Sequence, residues 1–106
     1  MKLGVYERLI LLNILPQTGD FLSIKIIHEL KQNLSFTEAE HKELNFEHGN
    51  GNELRWAEEA DKPKEIEIGD VAMSIIRETL EKLSKEKKLT EQHLTIYERF
   101  VLGKEK

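Results

Sequence analysis

Residues 3–15, Leu-Gly-Val-Tyr-Glu-Arg-Leu-Ile-Leu-Leu-Asn-Ile-Leu, restrict what this chain can fold into more than any other stretch. Read as a helix, Leu3 to Leu15 spreads Val5, Leu9, Ile10, Leu11, Leu12, Ile14 and Leu15 over nearly every side of the cylinder. A helix apolar all round must be covered by other elements, so this one belongs at the centre of a core. The run is far shorter than the roughly 20 residues that span a bilayer. Glu7 and Arg8 interrupt it upstream and no small-residue cleavage site follows, so it does not read as a secretory signal. The residue before a proline avoids the helical region, so Pro16 ends the helix and Pro16-Gln17-Thr18-Gly19 forms a turn.

The rest of the 106-residue chain supplies the cover. Asp20 is a candidate N-cap for a second helix, Phe21 to Asn33, with Ile24, Ile27, Leu30 and Leu34 at helical spacing. Ser35 or Thr37 opens a short third helix ending near Leu44, with a capping box from Ser35 and Glu38 or from Thr37 and Glu40. A hairpin follows, Leu44 to Glu47 and Glu53 to Trp56. A two-residue Asn50-Gly51 turn would put Phe46 opposite Arg55 and mix the faces. A three-residue Gly49-Asn50-Gly51 loop pairs Phe46 with Leu54 and Leu44 with Trp56, gathering four apolar side chains on one face, and is the register expected.

Residues 57–63 read as a polar connector, and Glu65-Ile66-Glu67-Ile68 alternates as a third short strand. Asp70 is the expected cap of a fourth helix, Val71 to about Lys87, with Ala72, Ile75, Ile76, Thr79, Leu80 and Leu83 inward. Thr90 opens the last helix, to about Leu102, with Leu94, Tyr97, Phe100 and Val101 inward and Gly103 as its stop. The expected fold is helix-rich α+β in a single domain over 1–106: helices plus hairpin in 1–56, connector in 57–63, strand and two helices in 64–102. Tyr-Glu-Arg occurs at 6–8 and again at 97–99, an echo too short to define a repeat.

Charged residues make up 34% of the chain, which predicts a salt-rich surface. With no cysteine there can be no disulfide, thiolate metal site or cysteine nucleophile, and the expected compartment is the cytoplasm. No other catalytic or cofactor pattern stands. Leu15-Pro16-Gln17-Thr18-Gly19 matches a sortase sorting signal, but a whole domain follows it where such a signal needs an apolar span and a basic tail. His28-Glu29 begins a zinc-protease pattern that fails at Gln32. His41 and His48, with Glu40, Glu43 and Glu47, lie on different elements at no ligand spacing, so no metal site is assigned. Gly49 and Gly51 lack the lysine and the following helix of a phosphate loop. The expectation is a protein that is not an enzyme and holds no cofactor.

Helix, glycine turn, helix, short helix and hairpin, carried by Tyr6 to Leu15, Phe21 to Leu34, Ser35 to Leu44 and the hairpin to Trp56, resembles the winged-helix pattern. In that family the third helix enters the major groove and the hairpin is the wing, on a surface normally basic because phosphate contacts supply most of the affinity. Here the charge runs the other way. Residues 1–36 carry four basic and three acidic side chains, residues 37–70 four and eleven, and residues 71–106 eight and six. Glu38, Glu40 and Glu43 face one Lys42 on the would-be recognition helix, so nucleic acid is disfavoured.

The Tyr-Glu-Arg-Leu opening and the ending Leu89 to Phe100 resemble small proteins of phage and prophage genomes of Gram-positive bacteria, families without an established activity. That resemblance implies no catalytic residues and a role in binding host or phage proteins. The expected function is therefore a protein-interaction or structural module, with a protein partner or a second copy and no membrane. Its candidate interface residues are Glu38, Glu40 and Glu43, where an acidic face steers basic partners, together with Ile96 and Phe100. That last pair lies beside the face formed by Leu94, Tyr97 and Val101, widens the apolar surface and would meet a second copy across a two-fold axis.

Overall fold

The computed structural model describes residues 1–48 and 54–103. Its elements run β1 (Lys2–Leu3), α1 (Val5–Ile14), α2 (Phe21–Leu34), α3 (Glu38–Leu44), β2 (Glu47–His48), β3 (Leu54–Arg55), β4 (Lys64–Glu65), α4 (Asp70–Lys85) and α5 (Leu94–Phe100). One-turn 3-10 segments stand at Glu58–Ala60 and Glu91–His93. The fold is the helix-rich α+β expected. No helix among the described residues is long and apolar enough to cross a membrane.

The central apolar helix is present, but it starts later than its sequence suggests. Leu3 is strand, and β1 pairs antiparallel with β4, Lys2 opposite Glu65 and Leu3 opposite Lys64. The pairing continues where Ile66 donates its N–H to the Met1 carbonyl at 2.9 Å. The third strand therefore lies one residue upstream of the alternating Glu65–Ile68 run. Leu3 and Ile66 are both buried, at 0% and 1% exposure, so this two-strand ribbon closes one side of the core. Gly4 then turns the chain into α1 in extended conformation.

One apolar cluster joins Leu3, Leu11, Leu30, Leu34, Ile76 and Phe100, with contributions from α1, α2, α4 and α5. Hydrogen bonds outside the helices fix how these helices run. Arg8, near the start of α1, donates to the carbonyls of Leu34 and Ser35 at the end of α2, so α1 and α2 are antiparallel. Asn33, late in α2, donates to Glu67 just before α4. Arg77 in α4 donates to the Phe100 carbonyl, and Arg99 to the Lys2 carbonyl, which brings α5 back to the start of the chain. The molecule thus has two poles. One holds both β-ribbons and α3; the other holds the 15–20 turn and the start of α2.

Helix ends follow from their residues. Asp20 accepts from the Ser23 amide at 2.8 Å and caps α2. Gly69, not Asp70, is the N-cap of α4; Asp70 sits in the first turn, where its negative charge suits the helix dipole. At the end of α4, Lys87 donates to Ser84 and Lys88 to Leu83, a Schellman pair that holds Lys87 in the left-handed region at φ 59°. Gly103, at φ 72°, stands just past α5 as its sequence position suggested.

Two further expectations need correction. The sequence places Leu94, Tyr97, Phe100 and Val101 of the last helix inward, and offers Ile96 and Phe100, beside the 94–97–101 face, as interface. Phe100 is buried at 3% and Tyr97 and Val101, half-buried, pack against the core as expected, but Leu94 is 60% exposed, and Ile96, buried at 1%, is no more available to a partner than Phe100. The 3-10 turn Glu91–His93 winds more tightly than an α-helix and changes the phase at which α5 begins. The hairpin register is also shifted. Glu47 pairs with Arg55 and His48 with Leu54, because Leu44 is still helical and Asn45 ends α3 in the left-handed conformation at φ 49°. The span between the strands stays odd, so Phe46 and Trp56 share a face, but it is five residues long, not three. Its glycines and Glu53 lie outside the described residues.

Candidate interaction surface

The acidic middle segment folds into the pole carrying α3 and the hairpin. Thr37 is the N-cap of α3, and of the two capping boxes considered, the one that forms is Thr37 with Glu40. The Thr37 hydroxyl accepts from the Glu40 amide at 3.1 Å, and Glu40 Oε1 accepts from the Thr37 amide at 3.0 Å. Glu40 does a second job. Arg8 reaches from α1 and donates from Nη1 to Glu40 Oε2 at 2.5 Å and from Nη2 to Oε1 at 3.2 Å. Its remaining donors take the Leu34 and Ser35 carbonyls, and Lys64 Nζ adds a contact to Glu40 at 3.2 Å.

Arg8 is 2% exposed, the one charged residue buried among the described residues. Such a group persists only when paired and hydrogen-bonded, and each of its nitrogens has a partner. The Arg8 hydrogen bonds hold the Glu40 carboxyl at about 2, below its ordinary value of 4.5, against the opposing effect of its own burial. Glu40 is thus a structural counter-ion, not a free contact residue. Glu38 and Glu43 are exposed on the same helix.

A chain of aromatic rings lies beside this ion pair. The Arg8 guanidinium sits 3.9 Å from the centre of the Phe36 ring. Phe36 meets Phe46 edge-on at 5.2 Å, His41 meets Phe46 at 5.5 Å, and Phe46 meets Trp56 at 6.2 Å. Edge-to-face rings at such spacings attract beyond their burial. This cluster stands apart from the main core, and Phe36, Phe46 and Trp56 remain half-buried while His41 is exposed. Trp56 Nε1 donates to Asp61 Oδ2 at 3.2 Å, and Asp61 Oδ1 accepts from the Val5 amide at 3.0 Å. Asp61 thus caps α1 from the connector and ties the hairpin to the core. A cavity of about 420 Å³ lies behind α3, between Arg8, Glu40, Glu43 and the 60–65 segment.

The candidate residues therefore separate. Glu38 is exposed on α3, Glu43 is exposed and borders the cavity, Glu40 is locked against Arg8, and Ile96 and Phe100 lie in the core. His41 packs on rings, and among the described residues no three His or carboxylate side chains converge as metal ligands. Sequence reading missed Arg8, Phe36 and Asp61 as a unit. Arg8 alone left a signal, as a charge inside an otherwise apolar helix, which requires a buried partner. No family model, no curated protein and no solved structure matches this chain.

Proposed function

We propose that this chain is a non-catalytic protein-interaction module of the cytoplasm, possessed of one main contact surface: the acidic, aromatic face of α3 and the hairpin. The observation that carries this reading is the half-exposed Phe36–Phe46–Trp56 cluster, whose Phe36 and Phe46 rings pack on His41 of α3, the helix that also exposes Glu38 and Glu43. Aromatic side chains held rigid by neighbours, with an acidic rim, are the composition that anchors protein partners. The charge selects a basic partner surface and repels phosphate. The resemblance to phage and prophage proteins favours a host or phage protein as that partner. Nucleic acid is the poorer fit, because the exposed side of α3 presents glutamates.

The test compares proteins retained from a host lysate by the immobilised wild type and by Glu38→Lys/Glu43→Lys, with circular dichroism confirming that both are folded. Basic proteins retained by the wild type and lost by the variant are expected. The same set retained by both removes the acidic face from the account.

A further inference from the structure

The entrance to α5 is held by a histidine in a form that only its neutral ring allows. Thr90 precedes the 3-10 turn Glu91–His93, which runs straight into α5. The Thr90 amide donates to His93 Nδ1 at 3.0 Å, and the Thr90 hydroxyl lies 3.2 Å from the same nitrogen. This is the reach-back of a capping box, in which the side chain three residues on accepts from the N-cap amide. Here an imidazole stands where a glutamate or glutamine is usual. A backbone N–H can only donate, so Nδ1 presents its lone pair and the ring proton sits on Nε2. A protonated imidazole carries N–H on both nitrogens and has no acceptor left. One proton therefore turns this hydrogen bond into two donors facing each other.

No second contact shields the ring from that change. The ionisable groups of the flanking elements are Lys82, Lys85, Glu86, Lys87 and Lys88 at and after the end of α4, Glu91 in the turn itself, and Tyr97, Glu98 and Arg99 on α5. None of them pairs with the ring: among the described residues the only partner of His93 is Thr90. Arg99 is committed to Glu7 at 2.7 Å and to the Lys2 carbonyl at 2.9 Å.

We propose that His93 is a proton-operated latch on α5. Neutral, it closes the turn at 90–93. Protonated, it releases the Thr90 amide, and its charge then faces the amide end of the helix, where the macrodipole disfavours a cation. Histidine ordinarily changes charge between about pH 5 and 8, so the latch works well above the acid range in which Glu40 responds. What it governs is the seating of α5. The capped turn sets the phase from which Ile96 and Phe100 enter the core and Arg99 reaches the start of the chain.

Nuclear magnetic resonance on the labelled full chain between pH 8 and 5 tests the latch. At pH 8 the His93 ring is expected to carry its proton on Nε2 and none on Nδ1. On acidification the Thr90 amide signal is expected to shift together with the His93 ring signals. Its exchange with water, corrected for the intrinsic pH dependence, is expected to quicken about fivefold, as for the loss of an ordinary cap. Two variants fix the states. His93→Gln, whose side-chain carbonyl accepts at every pH, is expected to keep the Thr90 amide bonded throughout, and His93→Ala to leave it free throughout. His28, His41 and His48 are present in all three proteins, so a response they cause would appear in every one. A ring proton on Nδ1, a Thr90 amide that does not follow His93, or the same acid response in His93→Gln each overturns the proposal.

Discussion

Arg8 on α1 and Glu40 on α3 form a bidentate ion pair, closest at 2.5 Å, with the arginine 2% exposed. The pair positions α3 on the core, and the same glutamate closes the helix's own capping box. Removing one partner leaves the other buried without compensation. Glu40→Gln is expected to lower stability by about 3 kcal/mol, read as a lower urea midpoint. Arg8→Met, which removes the charge and keeps the volume, is expected to cost less than Glu40→Gln. If Glu40→Gln unfolds at the wild-type midpoint, the pair does not hold α3 in place.

Acid should weaken the same junction. The folded-state pKa of Glu40 is depressed to about 2 from 4.5. A depressed carboxylate contributes stability that is complete above its unfolded value and fades as pH falls through its folded one. The contribution should therefore be constant above pH 4.5 and lost between pH 4.5 and 2, by roughly 3 kcal/mol at most. Denaturation measured across that window should show a weaker pH slope in Glu40→Gln than in the wild type. Equal slopes would contradict the assignment to Glu40.

Lys87 occupies a left-handed position that suits glycine. Lys87→Gly is expected to raise stability by about 1 kcal/mol, because a side chain with a β-carbon resists that conformation. A lower melting temperature would mean that α4 does not end in this way.

Ile96 lies in the core at 1% exposure, not at an interface. Ile96→Val is expected to cost about 1 kcal/mol of stability and to leave the sedimentation profile unchanged at every concentration. A changed profile with unchanged stability would put Ile96 back on a surface.

The acidic α3 face also predicts no micromolar binding of duplex DNA in about 0.15 M salt, where screening acts beyond about 8 Å and leaves close repulsion intact. Fluorescence anisotropy with a labelled duplex would show it. A salt-sensitive micromolar complex would favour the winged-helix reading.

What the sequence disclosed and what it concealed have physical reasons. The helices α2, α3 and α4 were legible because apolar period and capping residues agree at Asp20, Thr37 and the run from Ala72 to Leu80. The strand Lys2–Leu3 was not, since two residues cannot show a period, and its partners Glu65 and Lys64 lie 63 and 61 positions away. The rotation of α5 was ambiguous because Leu94, Tyr97 and Val101 and the pair Ile96 and Phe100 make equally good stripes. Tertiary contacts chose between them, among them Arg99 to Glu7 at 2.7 Å. That bond joins the two Tyr-Glu-Arg segments, a meeting that their distance along the chain hides. The glutamates of the candidate surface could be read in advance, as could Phe46 and Trp56 on one face of the hairpin, but Phe36 could not. Phe36 lies in the loop before α3, outside any periodic segment, and meets Phe46 only because α3 folds between them.

Hydrogen exchange on the chain saturated with a basic partner recovered in the capture comparison tests the contact surface most directly. Slower exchange is expected in residues 36–47 and 54–61, where α3, the aromatic rings and Asp61 lie. Protection confined to the outer sides of α4 and α5, with 36–47 and 54–61 unchanged, would contradict the account.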